Sequence, residues 1–201
     1  MRRFHAMLLV GGLAVALVAA GPAVVRAQGA APGAPPRAEA PQDERIEQLF
    51  GRLAQTDSAA EARGVALLIQ RRWLDSGSPT ADLLMDRARE AMRGRDPALA
   101  IELIDRIVAI EPGWAEAWNR RAIAFTMLQD PVSAIADIYR VVSLEPRHFA
   151  AWAGLGNLLM QAGDERGALE SFERALAIHP HLPRIETIVN RLAREVDGVD
   201  L

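Results

Sequence analysis

The sequence predicts an all-α fold in which antiparallel pairs of helices stack on one another as a solenoid. The first observation is a period of 34 residues, which carries Trp152 back onto Trp118 and Pro180 back onto Pro146. The second is that apolar residues recur at three- and four-residue steps, as on one face of a helix, and no segment alternates as a strand does. Periods of this length are typical of repeat proteins in which each unit buries its apolar face on its neighbour.

Three consecutive units follow from this period, at 81–114, 115–148 and 149–182, and each contains two helices. An aspartate precedes each second helix, where a carboxylate can accept hydrogen bonds from the free N–H groups of the first turn. A proline follows each second helix, where it prevents the helix from continuing. Small residues recur where paired helices approach closely. The aspartates are Asp96, Asp130 and Asp164, the prolines Pro112, Pro146 and Pro180, and the small residues Ala100, Ala134 and Ala168.

The helical pattern continues on both sides of the three units. Residues 42–78 contain two apolar stripes, the first of which includes Ile46 and Phe50. We expect an N-terminal helical pair there, a degenerate repeat that covers the N-terminal end of the stack, because one face of a terminal repeat meets water. Residues 183–196 carry a single apolar stripe that includes Leu192, which predicts a C-terminal capping helix.

The first 27 residues have the pattern of a secretory signal peptide. Arg2 and Arg3 form a basic start, a short apolar run follows, and small residues precede an expected cleavage site after Ala27. The alternative is a retained anchor, although the run is short for a membrane span. Residues 28–41 are rich in Ala and Pro and are expected to be a disordered linker. The sequence therefore predicts a periplasmic protein without stable membrane insertion after cleavage.

Composition excludes several classes of function. The chain has no cysteine, so disulfides and thiolate chemistry are excluded, and its net charge of −3 gives no general attraction for nucleic acid. His148, His179 and His181 fall in turns between units, without a carboxylate at metal-ligand spacing. The sequence contains no phosphate-binding glycine loop and no nucleophile elbow. We therefore expect no catalytic residues, no metal and no cofactor.

The third unit resembles the tetratricopeptide repeat (TPR) signature position by position. The matching residues are Trp152, Leu155, Gly156, Leu159, Ala168, Phe172, Ala175 and Pro180. The second unit departs from the pattern at Arg121 and the first at Arg87, where leucine is usual. The chain is similar to small secreted TPR proteins of Gram-negative bacteria. The resemblance implies a right-handed TPR-type α-solenoid with N- and C-terminal capping helices, and a role in binding other proteins.

In this family the first helix of each repeat lines a concave groove that binds peptides. Carried over residue by residue, the resemblance implies a groove rich in methionine, which suits varied apolar partners. The implied groove residues are Met85, Arg89, Met92, Arg93, Asn119, Ile123, Met127, Asn157 and Met160. Some relatives hold a C-terminal carboxylate with a clamp of cations and amides, but Ala150 and Gly154 stand where the last repeat would supply its cations. We therefore do not expect that mode of binding.

The function predicted from the sequence is a non-catalytic periplasmic scaffold that binds a protein or an extended peptide in this groove. The identity of the partner does not follow from the sequence. Two alternatives stay open: a self-assembling structural module, which makes a homo-oligomer possible, and an envelope-remodelling enzyme on a helical solenoid. The enzyme alternative predicts a deep cleft with perturbed carboxylates.

Overall fold

The computed structural model describes residues 40–198 of the chain. This range contains nine α-helices and no strand, which confirms the predicted all-α fold class. The helices are α1 (Ala40–Gln55), α2 (Ala59–Trp73), α3 (Pro79–Arg93), α4 (Pro97–Ile110), α5 (Ala115–Met127), α6 (Pro131–Leu144), α7 (Phe149–Gln161), α8 (Glu165–Ile178) and α9 (Pro183–Asp197). The predicted signal peptide and all but the last two positions of the predicted linker lie outside the described residues.

Helices α3 to α8 form three pairs at the positions of the three predicted units. The second helix of each pair begins after the expected aspartate. The Asp96 carboxylate accepts the backbone N–H of Leu99 at 3.0 Å. Asp130 and Asp164 make the same bond, three residues along the chain, at 3.1 Å and 2.9 Å. These caps satisfy N–H groups that have no partner within the helix and fix where each second helix starts.

The core consists of a cluster of buried residues at each junction between helices. Ala88 on α3 and Ala100 on α4 are fully buried, which lets the two helices approach closely around Ile104. At the other end of the stack, Leu192 on α9 packs against Phe172 on α8. The last helix therefore covers the apolar face that the third unit would otherwise expose to water.

The N-terminal pair, α1 and α2, lies against the turns that connect one unit to the next. In the turn after α4, Trp114 donates from Nε1 to the carbonyl oxygen of Trp73 at 2.7 Å. In the turn after α8, His181 donates from Nε2 to the carbonyl oxygen of Thr56 at 2.6 Å. The N-terminal pair therefore contacts the turns after the first and the third unit, which are distant from each other in sequence.

The turn after α6 and the first residue of α7 also contact the N-terminal pair. Arg147 forms an ion pair with Glu47 at 2.8 Å, and Phe149 joins the apolar cluster of the pair. The Trp73 ring stacks on His148, with ring centroids 4.0 Å apart. The sequence predicts that this pair covers the N-terminal end of the stack. In the structure its apolar residues pack on one another, on Phe149 at the start of α7 and on Ile178 at the end of α8.

Candidate functional site

A cavity of about 450 Å³ lies between α5 and α7, the first helices of the second and third units. We call it the α5–α7 cavity. Its lining residues come from α5, α6 and α7 and are mostly apolar. They are Asn119, Ala122, Ile123, Thr126, Met127, Ile138, Ala150, Ala151, Gly154 and Leu158. A cavity of this size, with few polar groups, suits an apolar side chain and the backbone beside it.

The cavity is open at this point because α7 carries a glycine there. Gly154 corresponds, one unit earlier, to Arg120. A Cβ added at Gly154 would lie 3.6 Å from Cδ1 of Ile138, with no other contact within 4 Å. The missing side chain therefore leaves space above Ile138, which forms the floor of the cavity.

The two polar side chains of the cavity, Thr126 and Asn119, already donate hydrogen bonds within the protein. Thr126 donates from its hydroxyl to the carbonyl oxygen of Ala122 at 2.9 Å. Asn119 donates from Nδ2 to Oε2 of Glu116 at 2.9 Å. The remaining acceptor of Asn119, its Oδ1, has no hydrogen bond to another described residue. This oxygen is therefore available to accept a hydrogen bond from a ligand.

Glu116 lies behind Asn119 and is only 4% exposed. Its Oε2 also accepts a hydrogen bond from Nε2 of His148 at 3.2 Å, and its Oε1 accepts one from Nε of Arg120 at 2.6 Å. Burial acts to raise the pKa of Glu116, but the bonds from His148 and Asn119 and the charge of Arg120 outweigh it. The pKa of Glu116 therefore lies below its ordinary value, and the buried carboxylate is ionised near neutral pH.

His148 is 1% exposed and caps α7. Its Nδ1 accepts the backbone N–H of Ala151 at 3.1 Å, which places the ring proton on Nε2, where it is donated to Glu116. One side chain thus fixes the start of α7 and donates a hydrogen bond to a buried carboxylate. The sequence places His148 in a turn without indicating a role, because its partner Glu116 lies 32 residues earlier, at the other end of the same unit.

The structure brings three of the predicted groove residues together. Asn119, Ile123 and Met127 all line the α5–α7 cavity, and the last two are exposed. They lie on one face of α5 because they are spaced by four residues. Their role in binding stays a prediction, since no ligand is present.

The predicted residues of α3 do not form a comparable site. Met85 is 2% exposed within the buried cluster that α3 forms with α4 and α5, so the prediction that it lines an open groove is wrong: its side chain is in the core. Met92 is half-buried against the same cluster. Arg89 forms an ion pair with Asp86 at 3.2 Å, and Arg93 is exposed in the last turn of the helix.

Two further predicted residues lie on α7, away from the cavity lining. Asn157 is exposed and donates from Nδ2 to the carbonyl oxygen of Ala153 at 3.0 Å. Met160 is half-buried against the cluster between α8 and α9, with Sδ 3.7 Å from a guanidinium nitrogen of Arg191. Neither side chain joins the set that lines the α5–α7 cavity.

Sequence reasoning missed the floor and the far wall of the cavity, Ile138 and Leu158. Ile138 belongs to a second helix, and the family resemblance directs attention to first helices only. The sequence shows that Gly154 supplies no cation, but not that its missing side chain leaves space for the cavity. The available signal was the change from Arg120 to Gly154 between equivalent positions of neighbouring units.

The other two turn histidines also contact the N-terminal pair or its neighbours. His179 is buried and meets Phe149 edge-on, with ring centroids 5.1 Å apart. Burial and the nearby charge of His181 lower the pKa of His179. Among residues 40–198 no three potential metal ligands cluster. Within the same range no helix has the length and apolar character needed to cross a bilayer.

Helix pairs with this spacing and these caps define a helical repeat protein, and comparison with known proteins identifies the family. Tetratricopeptide repeat models match residues 85–145 and 149–182. A TPR repeat-containing protein of Rhizobium etli is 34% identical over 155 residues, which cover 77% of this chain and 76% of the relative. The chain belongs to the tetratricopeptide repeat family.

Solved structures share the fold at lower identity. The first TPR of Spaghetti (RPAP3), bound to an HSP90 peptide, superposes with a TM-score of 0.56 at 18% identity, covering 60% of this chain and 95% of that one. The Sgt2 TPR domain from Aspergillus fumigatus gives 0.55 at 21% identity, covering 60% and 81%. MamA gives 0.55 at 24% identity, covering 71% and 86%. These similarities establish the TPR solenoid fold.

Proposed function

We propose that this protein is a non-catalytic periplasmic adaptor that binds an extended, apolar segment of another protein in the α5–α7 cavity. The observation that carries the proposal is the cavity itself. Ile123 and Met127 are large apolar side chains left exposed beside an apolar floor at Ile138. Exposed apolar groups that surround a cavity mark a binding site for an apolar partner.

The fold comparison supports a peptide as the kind of ligand. The solved TPR of Spaghetti (RPAP3) is bound to the HSP90 peptide SRMEEVD, and the second TPR domain of human RPAP3 is in complex with the HSP70 peptide SGPTIEEVD. Those peptides are bound by other proteins at low identity to this chain, so they indicate the kind of binding and not the partner. The apolar lining of the α5–α7 cavity favours a less acidic segment than these peptides.

The state of Glu116, the carboxylate that is hydrogen-bonded to Asn119 of the cavity, supports a non-catalytic role. Glu116 makes hydrogen bonds with Asn119, His148 and Arg120 through both of its oxygens. A general acid or base has to exchange a proton with a substrate, and a buried carboxylate occupied in this way is poorly placed to do so.

Crosslinking in cells tests the binding site. Full-length protein with a C-terminal tag is expressed in its own host and treated with a crosslinker, and the attached proteins are identified. Ile123→Glu combined with Met127→Glu places two charges at the cavity. The matched control is Val132→Glu, since Val132 is 77% exposed on α6 and does not line the cavity.

The expected result is a partner that is recovered with the wild type and with Val132→Glu and is lost with the double variant. A partner recovered equally with all three proteins would exclude the cavity as its binding site.

The periplasmic location is tested on the same tagged protein. The signal pattern predicts a mature chain that begins at Gln28 and is released with the periplasmic fraction. N-terminal sequencing of the fractionated protein checks both points. Intact protein in the cytoplasmic fraction would contradict the proposed location, and protein retaining residues 1–27 in the membrane fraction would favour the anchor.

A further inference from the structure

A continuous series of contacts joins the N-terminal pair to the α5–α7 cavity. The Trp73 ring on α2 stacks on His148 with an interplanar angle of 12°. His148 donates to Oε2 of Glu116 at 3.2 Å, and the same oxygen accepts Nδ2 of Asn119 at 2.9 Å. Asn119 lines the cavity. All four side chains are buried, so none can replace a lost partner with water. A change at Trp73 therefore alters the hydrogen bonds of the groups that follow it.

We propose that Trp73 is a positioning residue for the α5–α7 cavity: by holding His148 against Glu116, it fixes the side-chain amide of Asn119 with its oxygen available to the bound segment. This inference rests on the proposed function, because the orientation of Asn119 matters only if a segment binds there. The direction of the amide follows from chemistry. An ionised carboxylate only accepts hydrogen bonds, so Asn119 turns its NH₂ group towards Glu116.

The fixed amide defines the chemistry of the ligand. Because the NH₂ group of Asn119 donates to Glu116, its oxygen is the atom left to bind a ligand. That oxygen accepts hydrogen bonds, so it recognises a backbone N–H of an extended segment and not a carboxylate. Arg120, the cation beside this position, is already paired with Glu116 at 2.6 Å. A ligand carboxylate would therefore lie near a buried negative charge without a free cation to compensate it. The structure assigns the cavity to an uncharged, apolar segment.

Trp73 acts through its ring face and not through its indole nitrogen. Its Nε1 is buried and has no hydrogen-bond partner among the described residues. The stack with His148 therefore needs a flat aromatic surface but no donor. Phenylalanine at this position keeps such a surface. Leucine removes it and leaves the His148 ring held only by its hydrogen bonds with Ala151 and Glu116.

Nuclear magnetic resonance of the ligand-free protein tests the positioning. The readout is the rate at which the Nδ2 protons of Asn119 exchange with solvent, with the backbone amide of Ile104, in the fully buried core, as an internal reference. We expect Trp73→Leu to raise the exchange rate of Asn119 by about tenfold or more relative to Ile104. Once His148 no longer holds the Glu116 carboxylate in place, the hydrogen bond from Nδ2 of Asn119 to that carboxylate opens more often. Trp73→Phe should restore slow exchange.

The matched control loosens the same contact surface without passing through His148. Glu47→Gln removes the ion pair between Glu47 and Arg147, which lies next to the stack. This variant should leave the exchange of Asn119 unchanged. If Glu47→Gln and Trp73→Leu accelerate Asn119 equally, or if Ile104 accelerates as much as Asn119, the effect is general loosening and the positioning role is wrong.

A second variant keeps the test open should Trp73→Leu fail to fold. His148→Phe preserves an aromatic ring against Trp73 but removes the donor to Glu116. It should accelerate Asn119 in the same way, and unchanged Asn119 exchange would overturn the proposal.

A probe peptide, acetyl-Ala-Leu-Val-Leu-Ala-amide, separates this inference from the proposed function. It is compared by titration with the same peptide carrying Asp in place of Val. Tighter binding of the uncharged probe, lost in Trp73→Leu, supports both proposals. Absence of binding by either probe, with Asn119 exchange still dependent on Trp73, counts against the binding role and leaves the positioning intact. Preference for the Asp probe would overturn the assigned ligand chemistry.

Discussion

Trp118 and Trp152, one repeat apart, make the same hydrogen bond to the chain before them. Nε1 of Trp118 donates to the carbonyl oxygen of Pro112 at 3.0 Å, and Nε1 of Trp152 donates to that of Pro146 at 2.8 Å. Each indole thus ties the first helix of a unit to the end of the preceding one. Equivalent environments for these two residues are what a stack of repeated units requires, and the bond explains why tryptophan recurs there.

The first prediction concerns this pair. Trp118→Phe and Trp152→Phe each keep most of the ring packing and remove the one hydrogen bond. We expect each to lower the free energy of unfolding by about 1 kcal/mol. Urea melts of both variants check this, and values that differ greatly between the two would contradict the equivalence of the sites.

The second prediction compares two neighbouring glycines of α7. A Cβ at Gly154 would meet only Ile138, at an ordinary contact distance of 3.6 Å, whereas one at Gly156 would lie 2.6 Å from the ring of Phe172. Gly154→Ala should therefore stabilise the fold by about 0.5–1 kcal/mol through helix propensity. Gly156→Ala should destabilise it by about 1–3 kcal/mol, since Phe172 is fully buried and has to move.

Thermal and urea unfolding of the two alanine variants provide the measurement. Gly154→Met extends the comparison, because its longer side chain fills the α5–α7 cavity while the helix is kept. Partner recovery that survives Gly154→Met undiminished would count against the cavity as the binding site.

The third prediction concerns Arg121, which stands where the family pattern has leucine. Its guanidinium contacts Asp137 at 2.7 Å and 2.8 Å and Asp105 at 2.7 Å, and the bonds to Asp137 raise the pKa of Arg121. Asp137 is buried on α6. Arg121→Leu alone should cost about 3 kcal/mol, because it leaves Asp137 buried without a partner.

The double variant is the matched control for this pair. Arg121→Leu combined with Asp137→Ala removes both charges and should recover most of the lost stability, as replacement of buried ion pairs often does. A double-mutant cycle from urea melts measures the coupling. Additive losses would mean that the two residues do not depend on each other.

The fourth prediction concerns pH. The pKa of Glu116 is lower in the folded protein than in the unfolded chain, so the folded state binds its proton less readily. The stability that Glu116 contributes is therefore fully present above the unfolded-state pKa of about 4.3 and is lost as the pH falls through the lower folded-state pKa.

Urea melts of the wild type and of Glu116→Gln between neutral and acid pH measure this contribution as a difference. The difference should be constant near neutral pH and shrink only in the acid range. A difference that is independent of pH would mean that Glu116 is not ionised in the folded state. His179 adds a separate pH dependence to the stability of the fold. Burial lowers its pKa in the folded protein, so the free energy of unfolding declines as the pH falls below the unfolded-state pKa of about 6.5.

The sequence predicts the local features of this fold well, because each depends on a few neighbouring residues. The cap at Asp96, the stop at Pro112 and the close approach at Ala100 follow from backbone chemistry that any helix obeys. The family resemblance likewise implied Asn119 as a groove residue, and it does line the cavity.

The sequence does not predict features that depend on contacts between distant residues. Met85 shares the spacing of the predicted groove positions, but it lies in the buried cluster that α3, α4 and α5 form together. The position of the N-terminal pair depends on Trp73 meeting His148, and nothing in either stretch of sequence specifies the other. Ile138 borders the cavity because Gly154, which lies above it, has no side chain to cover it.

The bond between Arg147 and Glu47 spans 100 residues and that between His181 and Thr56 spans 125. During synthesis the N-terminal pair emerges before all of these partners, and the last of them, His181, emerges only when synthesis is nearly complete. In an ordinary solenoid each repeat touches only its neighbours and terminal repeats can fray independently. Here the N-terminal pair contacts the turn after each of the three units, so losing any one repeat deprives the pair of a contact. Unfolding should therefore proceed as a single cooperative event.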